Sequence, residues 1–310
     1  MEQQSRAYLH GLGAVLAWST VASAFKLTLR ELTPVAMLFY ASLTSLLILL
    51  AILTWQGRLG VLKQIRGREW LAYAGLGFLN PFLYYTILFR AYQLLPGQEA
   101  QALNYTWAIT LALLSIPILK QRIRPASLVA LVISFAGVWV ISTRGDVFST
   151  RFAEPVGVLL AVGSSIVWAL FWIGNVRDPR DEIVKLTLCF VFGTVFVGLY
   201  AVATGDPLAA QWPGIAGALY AGLFEMGLTF VLWLTALRLS RTTAQVGNLI
   251  FLSPFISLVL LHFVVGEEIF RSSIVGLVLI LAGIALQRRT DRIPRQTAPE
   301  SPPAGGSSEP

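Results

Sequence analysis

The sequence predicts an all-α integral membrane protein. Ten transmembrane helices form a 5+5 inverted-topology repeat, with the N-terminus and the C-terminus both on the cytoplasmic side. Three observations predict it. Apolar residues make up 56% of the 310 residues and Asp, Glu, Lys and Arg only 13%, half the roughly 25% typical of soluble domains. The apolar residues run in segments close to the roughly 20 residues that a helix needs to cross the hydrocarbon core. The positive residues fall on alternate loops, and a series of short motifs recurs once in the same order.

Taken in order, the segments are 9–29, 34–55, 70–90, 98–119, 126–143, 156–174, 184–204, 213–237, 242–265 and 273–288. Breakers separate them: Thr33-Pro34, Pro96-Gly97, Pro125, Pro155, Asp178-Pro179, Asp206-Pro207 and Pro213. Each segment is a helix because a chain in lipid must satisfy its own backbone groups. The runs are also too continuous for barrel strands, which alternate apolar and polar residues. Ala22-Ser23-Ala24 has the small residues of a signal-peptidase site, but removing the first span would reverse the parity of all the others, so the span is kept. Residues 290–310, rich in Pro, Gly and Ser with almost no apolar content, read as a disordered cytoplasmic tail.

With the N-terminus in the cytoplasm, 17 of the 23 Lys and Arg lie on the cytoplasmic side. The other six are Lys26, Arg30, Arg90, Arg144, Arg151 and Arg271. A wrong span count would scramble that bias, so it supports both the count and the orientation. It also accounts for the net charge of +7 without a nucleic-acid partner, since the charges are spread over separate loops.

Residues 100–104 (AQALN) fall on 244–248 (AQVGN), and Ala136-Gly137-Val138 falls on Ala282-Gly283-Ile284. Trp18 falls on Trp168, and Phe78-Leu79-Asn80 lies over Phe224-Glu225-Met226. Residues 8–144 thus form one repeat and 155–289 the second. An odd number of spans per repeat inserts the halves in opposite orientations, and sites in such proteins lie near the midplane where the halves meet.

Polar stripes mark the faces that meet there. As one continuous helix, 98–119 puts Gln101, Asn104 and Tyr105 on one face with Trp107 at its flank, and Thr106 and Thr110 opposite. The amides recur as Gln245 and Asn248. Trp18, Ala22 and Lys26 share a face of the first span, Asn80 and Tyr84 of the third, Trp168 and Trp172 of the sixth, and Glu225, Thr229 and Trp233 of the eighth. Spans 1, 3, 4, 6, 8 and 9 therefore read as an inner ring and 2, 5, 7 and 10 as an outer one. An amide facing lipid would lack partners, so these faces line a cavity or hold helices together; sequence leaves both uses open. Lys26, near a helix end, is expected to snorkel to the outer interface. Glu225 is mid-span, where a charged carboxylate costs about 2.5–3.5 kcal/mol, so it is protonated, paired or in water. It is a candidate amine or proton site.

Enzyme chemistry lacks parts. The chain has two histidines, His10 and His262, no metal-ligand cluster, no Gly-x-Ser-x-Gly and no phosphate loop, so no catalytic residue, metal or cofactor is assigned. Asn104-Tyr105-Thr106 is formally a glycosylation sequon, but it lies inside a span. The short loops argue against a scaffold or receptor.

The five-plus-five spans, the Ala-Trp patch of the first and sixth, Phe251-Leu252-Ser253-Pro254, Gly266-Glu267-Glu268 after it, and Ala-Gly-Val or Ala-Gly-Ile in the fifth and tenth resemble the EamA family of the drug/metabolite transporter superfamily. Residues 100–107 (AQALNYTW) further resemble the YddG-type aromatic amino-acid exporter branch. The chain departs from the pattern at Thr110, where proline is common, and at Gln121-Arg122, where the first half lacks a counterpart of Glu267. The resemblance implies an inner-membrane secondary transporter exporting small metabolites, amino acids above all, by alternating access. It would be a monomer or homodimer, with a drug, sugar or nucleotide-sugar carrier of the same fold as the alternative. The expected substrate-binding set is Trp18, Asn80, Tyr84, Gln101, Asn104, Tyr105, Trp107, Trp168, Trp172, Glu225, Thr229, Gln245 and Asn248, with a proton as a possible second partner at Glu225.

Overall fold

The computed structural model describes residues 3–119, 125–148, 154–176, 178, 180–239 and 248–292. Among them the regular structure is helical, with no strand. Six helices among the described residues are long and apolar enough to cross a membrane: Gln3–Glu31, Pro34–Trp55, Gly67–Leu94, Pro155–Asn175, Glu182–Thr204 and Trp212–Trp233. Leu131–Ser142, Ser253–Val265 and Arg271–Leu286 are shorter apolar helices.

The elements begin where local chemistry starts a helix. After α1 (Gln3–Glu31), Thr33 caps α2 (Pro34–Trp55): its hydroxyl accepts from the Ala36 N–H at 3.1 Å, with Pro34 in the first turn. Proline is tolerated there because that N–H has no helical acceptor. The third span starts with the Glu69 carboxylate accepting from the Arg66 N–H at 2.7 Å. It is α3 (Gly67–Gly77), a π-helical turn (Phe78–Leu83) and α4 (Tyr84–Leu94). The fourth is broken into α5 (Gly97–Asn104) and α6 (Trp107–Leu119). Then come α7 (Pro125–Ser142), α8 (Pro155–Val176) and α9 (Glu182–Thr204). The eighth span repeats the design of the third: α10 (Trp212–Ala221), a π turn (Gly222–Gly227) and α11 (Leu228–Leu239). The ninth resumes as a 3-10 turn (Asn248–Leu252), α12 (Ser253–Leu260) and a π turn (Leu261–Val265), and α13 (Arg271–Arg292) closes the described chain. Residues 290–292, expected in the tail, are the last of α13; the rest of the tail lies outside the described residues.

Helices of the two halves pack on one another: α7 on α13, α2 on α9, α4 on α8 and α1 on α11. The outward surface of several of them is apolar and exposed, including Val132, Phe135, Leu199 and Val202, as suits contact with lipid rather than water. Beyond one end of this bundle a polar cluster ties α3 to the segment between α8 and α9. Arg180 donates to the Tyr73 hydroxyl at 2.8 Å and to the carboxylates of Asp178 and Glu69, and Tyr73 itself donates to Asp178. Burial alone would raise the Asp178 carboxyl; the Tyr73 hydroxyl and the Arg180 N–H and guanidinium outweigh it and hold it below the usual range.

Candidate functional site

At the centre lies a cavity of about 490 Å³. Its wall draws on α1 (Trp18, Phe25), α4 (Tyr84, Leu88, Tyr92), the fourth span (Gln101, Asn104, Tyr105, Trp107), α8 (Trp168, Trp172), the eighth span (Glu225, Phe230, Trp233) and the ninth (Ile250, Ser253). Both halves of the chain contribute. Trp18 meets Phe230 and Trp233 edge to face at 5.7 and 5.5 Å, and Tyr84 lies 4.6 Å from Trp168 with the rings tilted by 33°. Such pairs fix aromatic walls beyond what area alone provides.

The local breaks in the helices decide which groups face this space. In the eighth span the π turn puts Glu225 on the cavity wall. Its carboxylate accepts from the Tyr85 hydroxyl at 3.1 Å. A π turn inserts a residue into the helical register, so the face expected to join Glu225 to Thr229 and Trp233 is split. Glu225 and Trp233 line the cavity, whereas buried Thr229 donates its hydroxyl to the Phe224 carbonyl and does not. The third span does the same to Asn80. Pro81 follows it and removes a helical N–H, Asn80 leaves helical geometry (φ −148°, ψ 123°), and its side chain is buried away from the cavity. The expected pairing of Asn80 with Tyr84 on one lining face is therefore corrected. The continuous helix expected over 98–119 is corrected too: it breaks at Tyr105 and Thr106, with the Thr106 hydroxyl taking the Leu103 carbonyl at 2.7 Å. Thr110, expected on the far side, bonds Ser165 of α8 at 2.9 Å.

Nine of the expected residues line the cavity: Trp18, Tyr84, Gln101, Asn104, Tyr105, Trp107, Trp168, Trp172 and Glu225. Gln245 and the side chain of Asn248 lie outside the described residues. The amides behave differently. Asn104 is tied at both ends, donating to the Ser164 hydroxyl at 2.8 Å and accepting from the Tyr84 hydroxyl at 3.2 Å. The Gln101 amide, mostly buried, pairs with no other described residue, and the buried Trp172 Nε1 also lacks a partner among the described residues. Sequence reasoning missed Phe25, Leu88, Tyr92 and Phe230. Phe25 is one step of seven from Trp18, and Tyr84, Leu88 and Tyr92 are spaced by four, so the stripe signal was there.

Lys26 does not snorkel to a bulk interface. Phe25 and Tyr92, ring centroids 5.3 Å apart, wall one end of the cavity. Beside them Lys26 donates to the carbonyls of Tyr92 and Leu95, each at 3.0 Å, and lies 3.7 Å from the Glu267 carboxylate. Glu267 also accepts from the Gly97 N–H at 2.8 Å, and so caps α5, where a negative charge is favoured. Gln98 donates to the Glu268 carbonyl and accepts from the Phe270 N–H at 3.0 Å. These bonds join residues of the first half to residues of the second.

The profile of the EamA-like transporter family matches residues 5–143 and again 155–288. The chain belongs to this family. This EamA-like chain is 25% identical over 276 residues to an uncharacterized transporter of Archaeoglobus fulgidus, covering 88% of this chain and 93% of that one. It is 24% identical over 271 residues to the aromatic amino acid exporter YddG of Ancylobacter novellus, covering 83% and 88%. It is also 28% identical over 230 residues to the uncharacterized transporter YvbV of Bacillus subtilis, covering 73% and 74%. A solved crystal structure superimposes with a TM-score of 0.63 at 23% identity, over 93% of this chain and 99% of the other, a likeness of fold. An EamA-like chain is a membrane transporter of small molecules, and a central cavity with both halves in its wall suits that work.

Proposed function

We propose that this EamA-like transporter exports small metabolites, with aromatic or other neutral amino acids favoured, by alternating access through the central cavity. It spans the inner membrane ten times as two oppositely inserted fives, with both termini in the cytoplasm. Supporting that topology are the positive residues on alternate loops, a family match that falls once on each half, and the packing of α2 on α9 and α7 on α13, each pair holding the same place in its half. The observation that carries the function is the cavity wall: aromatic rings surround an acid and an amide that has no partner among the described residues. A zwitterion with an apolar body would bury its body against the rings and place its polar end on those groups. Among the described lining residues there is no cation, which disfavours the anionic nucleotide sugars.

Counterflow of radiolabelled amino acids into proteoliposomes tests the reading, and two variants sharpen it. Gln101→Leu removes an amide with no described partner, so the expected result is an unchanged melting temperature and a Km for export raised about tenfold, the worth of one well-placed hydrogen bond of about 1.4 kcal/mol. Asn104→Leu severs Tyr84 and Ser164 and is expected to lower stability as well. Gln101→Leu with unaltered counterflow would remove Gln101 from the site. No counterflow of any amino acid by the folded protein would remove the substrate class.

A further inference from the structure

Among its described lining residues the cavity holds one acid, and its setting identifies which end of a substrate the site reads. The Glu225 carboxylate takes one hydrogen bond, from Tyr85, and among the described residues no lysine, arginine or histidine pairs with it. The Trp18 Nε1–H points to the Glu225 backbone carbonyl at 3.4 Å, which holds that indole beside the acid. Trp18, Phe230 and Trp233 form one aromatic group, and Phe230 continues to Trp168 at 6.2 Å. An unpaired carboxylate beside several ring faces is the recognition chemistry of an ammonium group: a charge-assisted hydrogen bond from N–H to carboxylate together with attraction of the cation to the ring quadrupoles. The opposite charge finds nothing comparable. A carboxylate in the same space meets the Gln101 amide, a neutral donor with no partner among the described residues, and it is repelled by Glu225.

Resting on the transporter reading above and sharpening it, we infer that the site selects organic amines carrying an aromatic or apolar body, with Glu225 as the residue that sets this specificity. An accompanying carboxylate is dispensable, so aromatic amino acids are one subset of the class and simple arylalkylamines another.

Three probes of equal body separate the two ends: 2-phenylethylamine, with the ammonium alone; L-phenylalanine, with both groups; and 3-phenylpropanoate, with the carboxylate alone. Binding to the full chain in lipid nanodiscs is read from quenching of the cavity tryptophans and from the melting temperature. The expected result is that 2-phenylethylamine binds at least as tightly as phenylalanine while 3-phenylpropanoate does not bind. Glu225→Gln is expected to weaken the amine about tenfold or more, with Val278→Ala, on the exposed face of α13, leaving it nearly unchanged. The comparison of probes on the unaltered protein needs no variant, so poor folding of Glu225→Gln does not spoil it. Binding of phenylalanine and 3-phenylpropanoate without 2-phenylethylamine would overturn the inference and leave the transporter reading standing. Binding of none of the three, together with no amino-acid counterflow, would overturn both.

Discussion

Gly137→Val is expected to lower the stability of the folded protein by about 3 kcal/mol, the upper part of the range for forcing extra carbon into a packed contact. The reason is the closeness of α7 and α13. A Cβ at Gly137 would sit 2.5 Å from the Gly276 carbonyl oxygen and 2.8 Å from an Ile280 side-chain carbon. One at Gly276 would sit 2.6 Å from the Gly137 carbonyl and 2.4 Å from an Ile141 carbon. Each glycine thus admits the other helix's backbone, and neither carbonyl oxygen can swing aside as a flexible side chain would. In lipid there is little hydrophobic drive between helices, so close packing of small residues carries much of the association, and Ser134 adds a hydrogen bond to the Ile280 carbonyl at 3.3 Å. Thermal unfolding in detergent checks the expectation. Gly137→Val and Gly276→Val should each melt well below the parent, while Val278→Ala, on a side chain about half exposed, should not. Two valine variants as stable as the parent would show that α7 and α13 are not held by this contact.

The second large effect is expected at Glu267. Glu267→Ala takes the acceptor from the Gly97 N–H and the counter-charge from Lys26. Both partners are partly buried, Lys26 with 20% and Glu267 with 13% of the side chain exposed, so the loss lies between that of a surface pair and that of a buried one. A hydrogen bond to a charged group is worth about 2 kcal/mol, and that is the expected destabilisation. Glu267→Gln keeps an acceptor for the Gly97 N–H but loses the charge, and should fall between. A double variant, Lys26→Met with Glu267→Ala, should cost less than the sum of the two single changes, because the first removes the charge that the second strands. Additive costs would mean that Lys26 and Glu267 do not act on each other. The clasp bonds the segment after α4 to the segment before α13.

Much of this arrangement was legible from the chain because lipid leaves few choices. A run of apolar residues that begins after Thr33 has to be a helix, and α2 occupies Pro34–Trp55, the expected segment 34–55. Polar groups such as Gln101 and Glu225 inside such runs have to face protein or water, and both are on the cavity wall. The failures share a cause. Faces were projected with a uniform 3.6-residue period, and that period does not hold through the π turns at 78–83 and 222–227 or the break at Tyr105. Asn80 and Thr229 lie off the cavity wall for this reason, whereas Tyr84, beyond its π turn in a regular helix, lines it. Lys26 failed differently. Its partner Glu267 is 241 positions away, and no local pattern announces a pairing between segments that only the folded bundle brings together.

The central claim is that the chamber between the halves is open to water and the outer surface of α7 is not. Native Cys189 is fully buried, so in a Cys189→Ser background a cysteine at position 104 or at position 132 reports on one place. In membranes, the account predicts that Asn104→Cys reacts with a charged, water-soluble thiol reagent and that Val132→Cys, exposed on α7, does not. Reaction at 132 with none at 104 would contradict it.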